Sequence, residues 1–160
     1  MTPIRSTQAD DRFWVKVEKT ETCWEWTSSM TPQGYGIFQT GGQNTPLMVS
    51  HKFAWELENG PVPEGMMLDH VCHNRKCVNP AHLRLATAKQ NNENRGVLNK
   101  NNTSGVRGVV RRGNRWVGQV MHNRRCIHVG SFNTIADAEA AVIAKRNELF
   151  THNDLDRLAA

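Results

Sequence analysis

The stretch LDHVCHNRKCVNPAHL, residues 68–83, sets three histidines and two cysteines within sixteen positions. Nothing else in the chain limits the possible folds as tightly. Cys72 and Cys77 are separated by four residues, and His82 follows five later. Structural zinc is held by four such donors in a tetrahedron, so three of them call for a fourth. Cys23, in TCWEW, is the natural choice. A zinc held this way pins the N-terminal segment onto the 70s loop and supplies folding energy there. The chain has four cysteines, which in an exported protein could form two disulfides. The opening MTPIRSTQADDRFW lacks the apolar core of a secretory signal, and no apolar run approaches the length of a membrane span. The thiols therefore read as metal ligands in a soluble, cytoplasmic protein with no membrane partner. Cys126, inside a later strand candidate, is expected in a core.

The segment holds more donors than one zinc can use. Asp69 and His70 precede the zinc loop at the end of the apolar stretch MMLDH. A carboxylate beside a histidine suggests a second, hard cation and a base. Asp69 offers an oxygen to Mg²⁺ or Mn²⁺. His70 titrates near working pH and is suited to taking a proton from water. Asn91, one turn into the next predicted helix, offers an amide oxygen to the same ion.

Punctuation divides the chain into residues 1–96, a linker over 97–104, a second unit over 105–150 and a tail over 151–160. In the first, GYGIFQ reads as a strand. Ser50 reads as the N-cap of a helix that stops at Gly60-Pro61. MMLDH and LRLA read as strands. Thr87, with Gln90 three residues on, predicts a helix from Ala88. The linker is rich in Asn, Gly and Ser. In the second unit, GVRGVVRRG, RWVGQVMHN and RRCIHVGSF read as three short antiparallel strands. Thr134 caps the helix that follows, and that helix covers one sheet face. The fold class is α+β.

Net charge is +5, and its distribution is one-sided. From Asn94 to Ala136 there is no Asp or Glu, while Arg95, Lys100, Arg107, Arg111, Arg112, Arg115, Arg124 and Arg125 all fall there. Such a block is the footprint of a polyanion partner, most simply nucleic acid.

Taken together, DHVCHNRKCVNPAHL and NNENR resemble the HNH endonuclease superfamily, whose core is a ββα-metal fold. The Cys-x4-Cys-x4-His spacing resembles the His-Cys box of homing endonucleases. The wider run CWEW, GYGIF, HKFAWELENGPVPEG and LDH is similar to HNH proteins of phages and mobile elements. The resemblance implies His70 as general base and Asp69 and Asn91 as ligands of a catalytic Mg²⁺ or Mn²⁺. It implies structural zinc on Cys23, Cys72, Cys77 and His82, with Asn79 fixing the loop turn. It also implies an arginine near the leaving group on an earlier strand, yet no arginine occurs between Arg12 and Arg75. Lys52, Arg75, Arg95 and His51 are the replacements at hand for that phosphate contact, and the role stays unassigned.

The second unit resembles the AP2 DNA-binding domain through RGV, W, G-x-F-x-T and the alanine-rich helix. That implies a sheet lying in the major groove of double-stranded DNA. By position Arg107 and Arg112 are the leading DNA contacts, with Arg111, Arg115, Gln119, Arg124 and Arg125 as helpers and Trp116 as packing. The expected function is metal-dependent hydrolysis of duplex DNA by a homing or phage-borne nuclease. The alternative is a non-catalytic, zinc-stabilised DNA-binding regulator. Monomer and homodimer both stay open.

Overall fold

Helices and small antiparallel sheets make up the chain, in a computed structural model that describes residues 7–41 and 45–158. Part of the opening segment and the last two residues of the tail lie outside the described residues. The chain divides into two compact units, Met1–Ala88 and Lys89–Ala160.

The first unit runs α1 (Thr7–Trp14), β1 (Val17–Lys19), β2 (Trp24–Trp26), β3 (Ile37–Gln39), β4 (Leu47–Val49), α2 (Ser50–Asn59), β5 (Met67–His70) and β6 (Leu83–Ala86). Its strands form three antiparallel pairs, β1 with β2, β3 with β4, and β5 with β6. Strands this short bury little by themselves, so large rings make the core. Phe13, Trp26, Phe38 and Phe53 are at most 2% exposed, and their contacting ring centroids lie 4.8–5.9 Å apart. Rings of this size contribute the largest apolar burial per residue. Gly36 of GYGIF lies where the chain passes closest to this cluster. A Cβ there would sit 2.1 Å from Ser50 Oγ and 2.5 Å from the Trp26 ring.

That packing also corrects one expectation. Ser50 does not cap α2 with its side chain; Val49 occupies the N-cap, and Ser50 is the first helical residue, 1% exposed. Its N–H donates to the Gly36 carbonyl at 2.8 Å, which ties the start of α2 to the Gly36 segment. The helix stops at Gly60, whose φ of 77° suits glycine, as expected.

The helix α3 (Ala88–Glu93) begins where Thr87 placed it. In the second unit follow β7 (Val109–Arg112), β8 (Arg115–His122), β9 (Arg125–Phe132), α4 (Ile135–Leu149) and α5 (Asp154–Leu158). The three strands form one antiparallel sheet in the order β7-β8-β9. Asn123 and Arg124 join β8 to β9 with φ of 48° and 63°, the left-handed pair that a two-residue type I′ hairpin demands. Thr134 caps α4, accepting from the Asp137 N–H at 3.1 Å. One face of the sheet, with Val109 and Val120, packs on Ala138 and Val142 of α4 and on Phe150, with Trp116 against their edge.

The other face is free of α4. Cross-strand pairs Arg112 with Arg115, Gln119 with His128, and Met121 with Cys126 lie on it. Cys126 is therefore exposed rather than in the core as expected. The two-residue period of a strand turns it away from α4, opposite Met121, itself 60% exposed. Beyond α4 the chain stays packed: Asn153 is 3% exposed, and Arg146 holds Asp156 through two bonds of 2.6 and 2.9 Å. Among the described residues no helix is long and apolar enough to cross a membrane.

Candidate metal centre

The loop between β5 and β6 is built by small local devices. Asn74 Oδ1 accepts from the Lys76 N–H, and Asn79 Oδ1 accepts from the Ala81 N–H at the head of a 3-10 turn, Pro80–His82. Asn79 thus fixes the turn, as the sequence implied. Two backbone bonds lay this loop along β2: Trp26 N–H to Lys76 O at 2.9 Å and Val78 N–H to Trp24 O at 2.8 Å. They carry Cys23, the residue just before β2, to the other two cysteines.

The donor atoms of Cys23, Cys72, Cys77 and His82 lie within 4.8 Å of one another. His82 Nδ1 is 3.6 Å from Cys77 Sγ and 3.8 Å from Cys23 Sγ. A tetrahedral zinc with Zn–S of about 2.3 Å and Zn–N of about 2.0–2.1 Å needs donors roughly 3.6–3.8 Å apart. The set fits zinc in donor chemistry, and the two distances from His82 lie within that spacing. Hydrogen bonding from Cys72 holds the Cys77 thiol down at about 4, while the same bond, with burial, pushes Cys72 up. Burial likewise raises Cys23. A metal, which binds thiolates, would displace the remaining protons.

Asp69 and His70, the last residues of β5, are 5% and 8% exposed. His70 Nε2 lies 3.0 Å from the Cys77 carbonyl oxygen. A carbonyl only accepts, so Nε2 carries the proton and Nδ1 keeps its lone pair. Burial lowers the pKa of His70 against the opposing pull of that bond. The ring of His51, at the head of α2, packs edge-on against His70 with centroids 4.7 Å apart. His51 is 8% exposed, its Nδ1 has no hydrogen-bond partner, and burial followed by His70 pulls its pKa down to about 3.

Asp69 has a partner that sequence reasoning missed. It lies directly opposite Arg84 in the β5–β6 register, and Arg84 Nε and Nη2 donate to Asp69 Oδ2 at 3.0 and 2.8 Å. The only signal was position: the pairing appears once the hairpin register is known. The proposed phosphate contacts are spread out. Lys52 faces Glu56 at 3.8 Å, Arg75 donates to the Gln33 carbonyl and lies 5.3 Å from the Tyr35 ring, and Arg95 is exposed. Asn91 lies on α3, half-buried.

In the second unit Arg112, Arg124 and Arg125 are exposed, and their side chains make no hydrogen bond or ion pair among the described residues. Arg111 lies 5.6 Å from the Trp116 ring centroid, and Arg115 donates to the Ser131 carbonyl at 2.6 Å. Two arginines directly opposite each other, Arg112 and Arg115, repel in the absence of an anion. His128, exposed beside Gln119, belongs to the same face and was missed because an isolated histidine carries no sequence signal. Arg107 differs from the others. Its guanidinium donates to the carbonyls of Glu93, Arg95 and Asn92 at 3.0, 2.8 and 3.1 Å, and a place at a DNA surface would require those bonds to be given up.

Residues 49–93, from the end of β4 through the cysteine loop to α3, match the HNH endonuclease family. Among curated proteins, Protein 7.7 of Escherichia phage T7 is 40% identical over 73 residues, 46% of this chain and 54% of that protein. Protein 2.8 of the same phage is 37% identical over 70 residues, 43% of this chain and 45% of its own. Protein 3.8, also of that phage, is 41% identical over 59 residues, covering 37% and 48%. The chain spans about half the length of these relatives. No solved structure matches it.

Proposed function

We propose that the chain is a phage-borne, metal-dependent DNA endonuclease of the HNH type. The single observation that carries the reading is the bond from His70 Nε2 to the Cys77 carbonyl, within a segment that matches an endonuclease family. It leaves Nδ1 as a basic lone pair. Asp69 and Asn91 are the residues that hold a divalent cation, Mg²⁺ or Mn²⁺. When bound, that ion neutralises charge at the scissile phosphate. Cys23, Cys72, Cys77 and His82 hold a structural zinc.

His70 Nδ1 takes a proton from the attacking water, and the Cys77 carbonyl steadies the imidazolium that results. Adjacent residues of a strand project to opposite sides, so Asp69 and His70 address the phosphate from different directions. An in-line displacement calls for that separation of nucleophile and leaving group. Hydrolysis gives a 5′-phosphate and a 3′-hydroxyl, as the family resemblance implies. Arg84, held on Asp69, is the nearest cation to the site and the residue best placed to take the unassigned phosphate contact. The AP2-like sheet supplies duplex affinity through its exposed face, with Arg112, Arg115 and Gln119 as its contacts.

The Arg84 contact also favours the alternative, because a carboxylate already neutralised by arginine is a weaker cation ligand. On that reading the first unit is a zinc-stabilised scaffold of a DNA-binding regulator. A supercoiled-plasmid assay separates the two. Metal-dependent nicking or linearisation is expected, with EDTA abolishing it and His70→Ala lowering it by roughly 10²–10⁴-fold. Cleavage by His70→Ala at the wild-type rate would remove His70 as the base.

A further inference from the structure

Arg107 sits in the middle of the basic block, yet it is turned inward. Its three acceptors, the carbonyls of Asn92, Glu93 and Arg95, lie at and just beyond the C-terminal end of α3. The last carbonyls of any helix lack partners within the helix. A planar guanidinium with five donors can bind several at once and also meets the negative end of the helix dipole. The helix needs the support. It has six residues, where an isolated helix needs roughly 12–15 to persist in water.

Arg107 is itself firmly mounted. Its carbonyl accepts from Arg146 Nη1 at 3.0 Å, and Arg146, 5% exposed, is held by Asp156. The next residue, Gly108, has φ of 80°, and its carbonyl accepts from the Gln119 N–H of the sheet at 2.8 Å. A Cβ at 108 would lie 2.6 Å from the Gln119 carbonyl oxygen, so the chain is pressed against β8 there. The same end of α3 has a second attachment. Glu93 Oε2 accepts from Thr151 N and Oγ1 at 3.1 and 3.3 Å, and Asn94 Oδ1 accepts from the Asp154 N–H at 3.1 Å. All of these residues belong to the second unit.

We infer that Arg107 is a positioning residue for the catalytic cation: by gripping the end of α3 from the base of the sheet, it holds Asn91 in place. The inference rests on the proposed reading of Asn91 as a cation ligand. It assigns the second unit two tasks, gripping duplex DNA with its free face and ordering a ligand of the nuclease with Arg107. Cutting the chain at the Asn- and Gly-rich stretch after α3 would then cost more than DNA affinity.

The test uses the full-length, zinc-loaded chain with Mn²⁺ as the probe. Three quantities are measured for wild type, Arg107→Ala, Arg107→Lys and Asn91→Ala. They are Mn²⁺ affinity by electron paramagnetic resonance, amide hydrogen exchange over residues 89–94 without Mn²⁺, and duplex affinity without Mn²⁺. Arg107→Ala is expected to weaken Mn²⁺ binding by roughly 10–100-fold, the usual cost of removing a group that orients a ligand. It should also speed exchange in α3 and leave duplex affinity within about twofold. Arg107→Lys keeps the charge but cannot span three carbonyls, so an intermediate loss is expected; it carries the test if the alanine variant does not fold. Weaker duplex binding by the Arg107 variants, with Mn²⁺ affinity and exchange unchanged, would make Arg107 a DNA contact and overturn the inference. Wild-type Mn²⁺ affinity in Asn91→Ala would instead overturn the ligand reading beneath it. Loss in Asn91→Ala with none in the Arg107 variants would overturn the positioning role alone.

Discussion

Replacing Cys77 by serine tests the zinc site where its consequences are largest. The residue is fully buried, and its thiol sits 3.6 Å from His82 Nδ1. Serine keeps the size but offers a hydroxyl, a poor zinc ligand. Without the metal, Cys23 and Cys72, 49 positions apart, are no longer cross-linked. Treated like a disulfide closing that span, the link restricts the unfolded chain by about 4 kcal/mol. Small domains are stable by only about 5–15 kcal/mol, and each kcal/mol moves Tm by roughly 4–8 °C. Cys77→Ser should therefore hold no zinc and melt roughly 15–30 °C below wild type, with EDTA producing a similar drop in the wild-type protein. Thermal unfolding followed by circular dichroism, with zinc measured by atomic emission, gives both quantities. Cys126→Ser, on the exposed face, serves as the control and should change neither. A Cys77→Ser protein with one zinc per chain and a Tm within about 2 °C of wild type would refute the metal centre.

Two further outcomes are expected. Burial holds His51 neutral, with its pKa down at about 3 from an ordinary 6.5. As pH falls below about 6 the unfolded chain takes the proton first, so stability drops on the order of 1.4 kcal/mol per pH unit until the folded pKa is reached. Urea midpoints of wild type and His51→Phe should therefore converge or cross from pH 7 to pH 4, and a constant difference would show that His51 is not held neutral. Arg112→Gln should weaken duplex binding and reduce the slope of log K against log salt by about one unit, as loss of a phosphate contact requires. An unchanged slope would remove Arg112 from the phosphate surface.

The cluster of Cys23, Cys72, Cys77 and His82 is legible in the amino-acid sequence alone because metal donors are rare side chains whose spacing is constrained by the ion they serve. Even Cys23, far off in the chain, is the one remaining thiol in the right unit. The three strands and the helix of the second unit are legible from turn residues and from Thr134. Arg84 is not, since its meaning lies in a cross-strand register that no local pattern states. Arg107 misleads for a related reason. A run of arginines shows how much positive charge a segment carries, not which side chain the backbone turns toward a helix end. Cys126 shows the same blindness in reverse: an apolar residue in a strand has two faces open to it, and only the sheet's packing on α4 chooses between them. Ser50 fails as a cap because Gly36 leaves room for it to pack where it would otherwise have turned back to the helix.

The contact between Cys77 and His70 has a genetic consequence. The acceptor is a main-chain oxygen, so it is encoded by no particular codon, and every amino acid at position 77 would offer the same atom. What the cysteine codon specifies is the thiol, one of four side chains whose donor atoms lie within 4.8 Å of one another. A mutation at 77 can thus shift that oxygen without replacing any atom that the histidine contacts. A replacement that kept the loop in place by other means would leave the histidine's partner untouched. Heredity at this position acts on the route of the backbone, and the hydrogen bond at His70 inherits it.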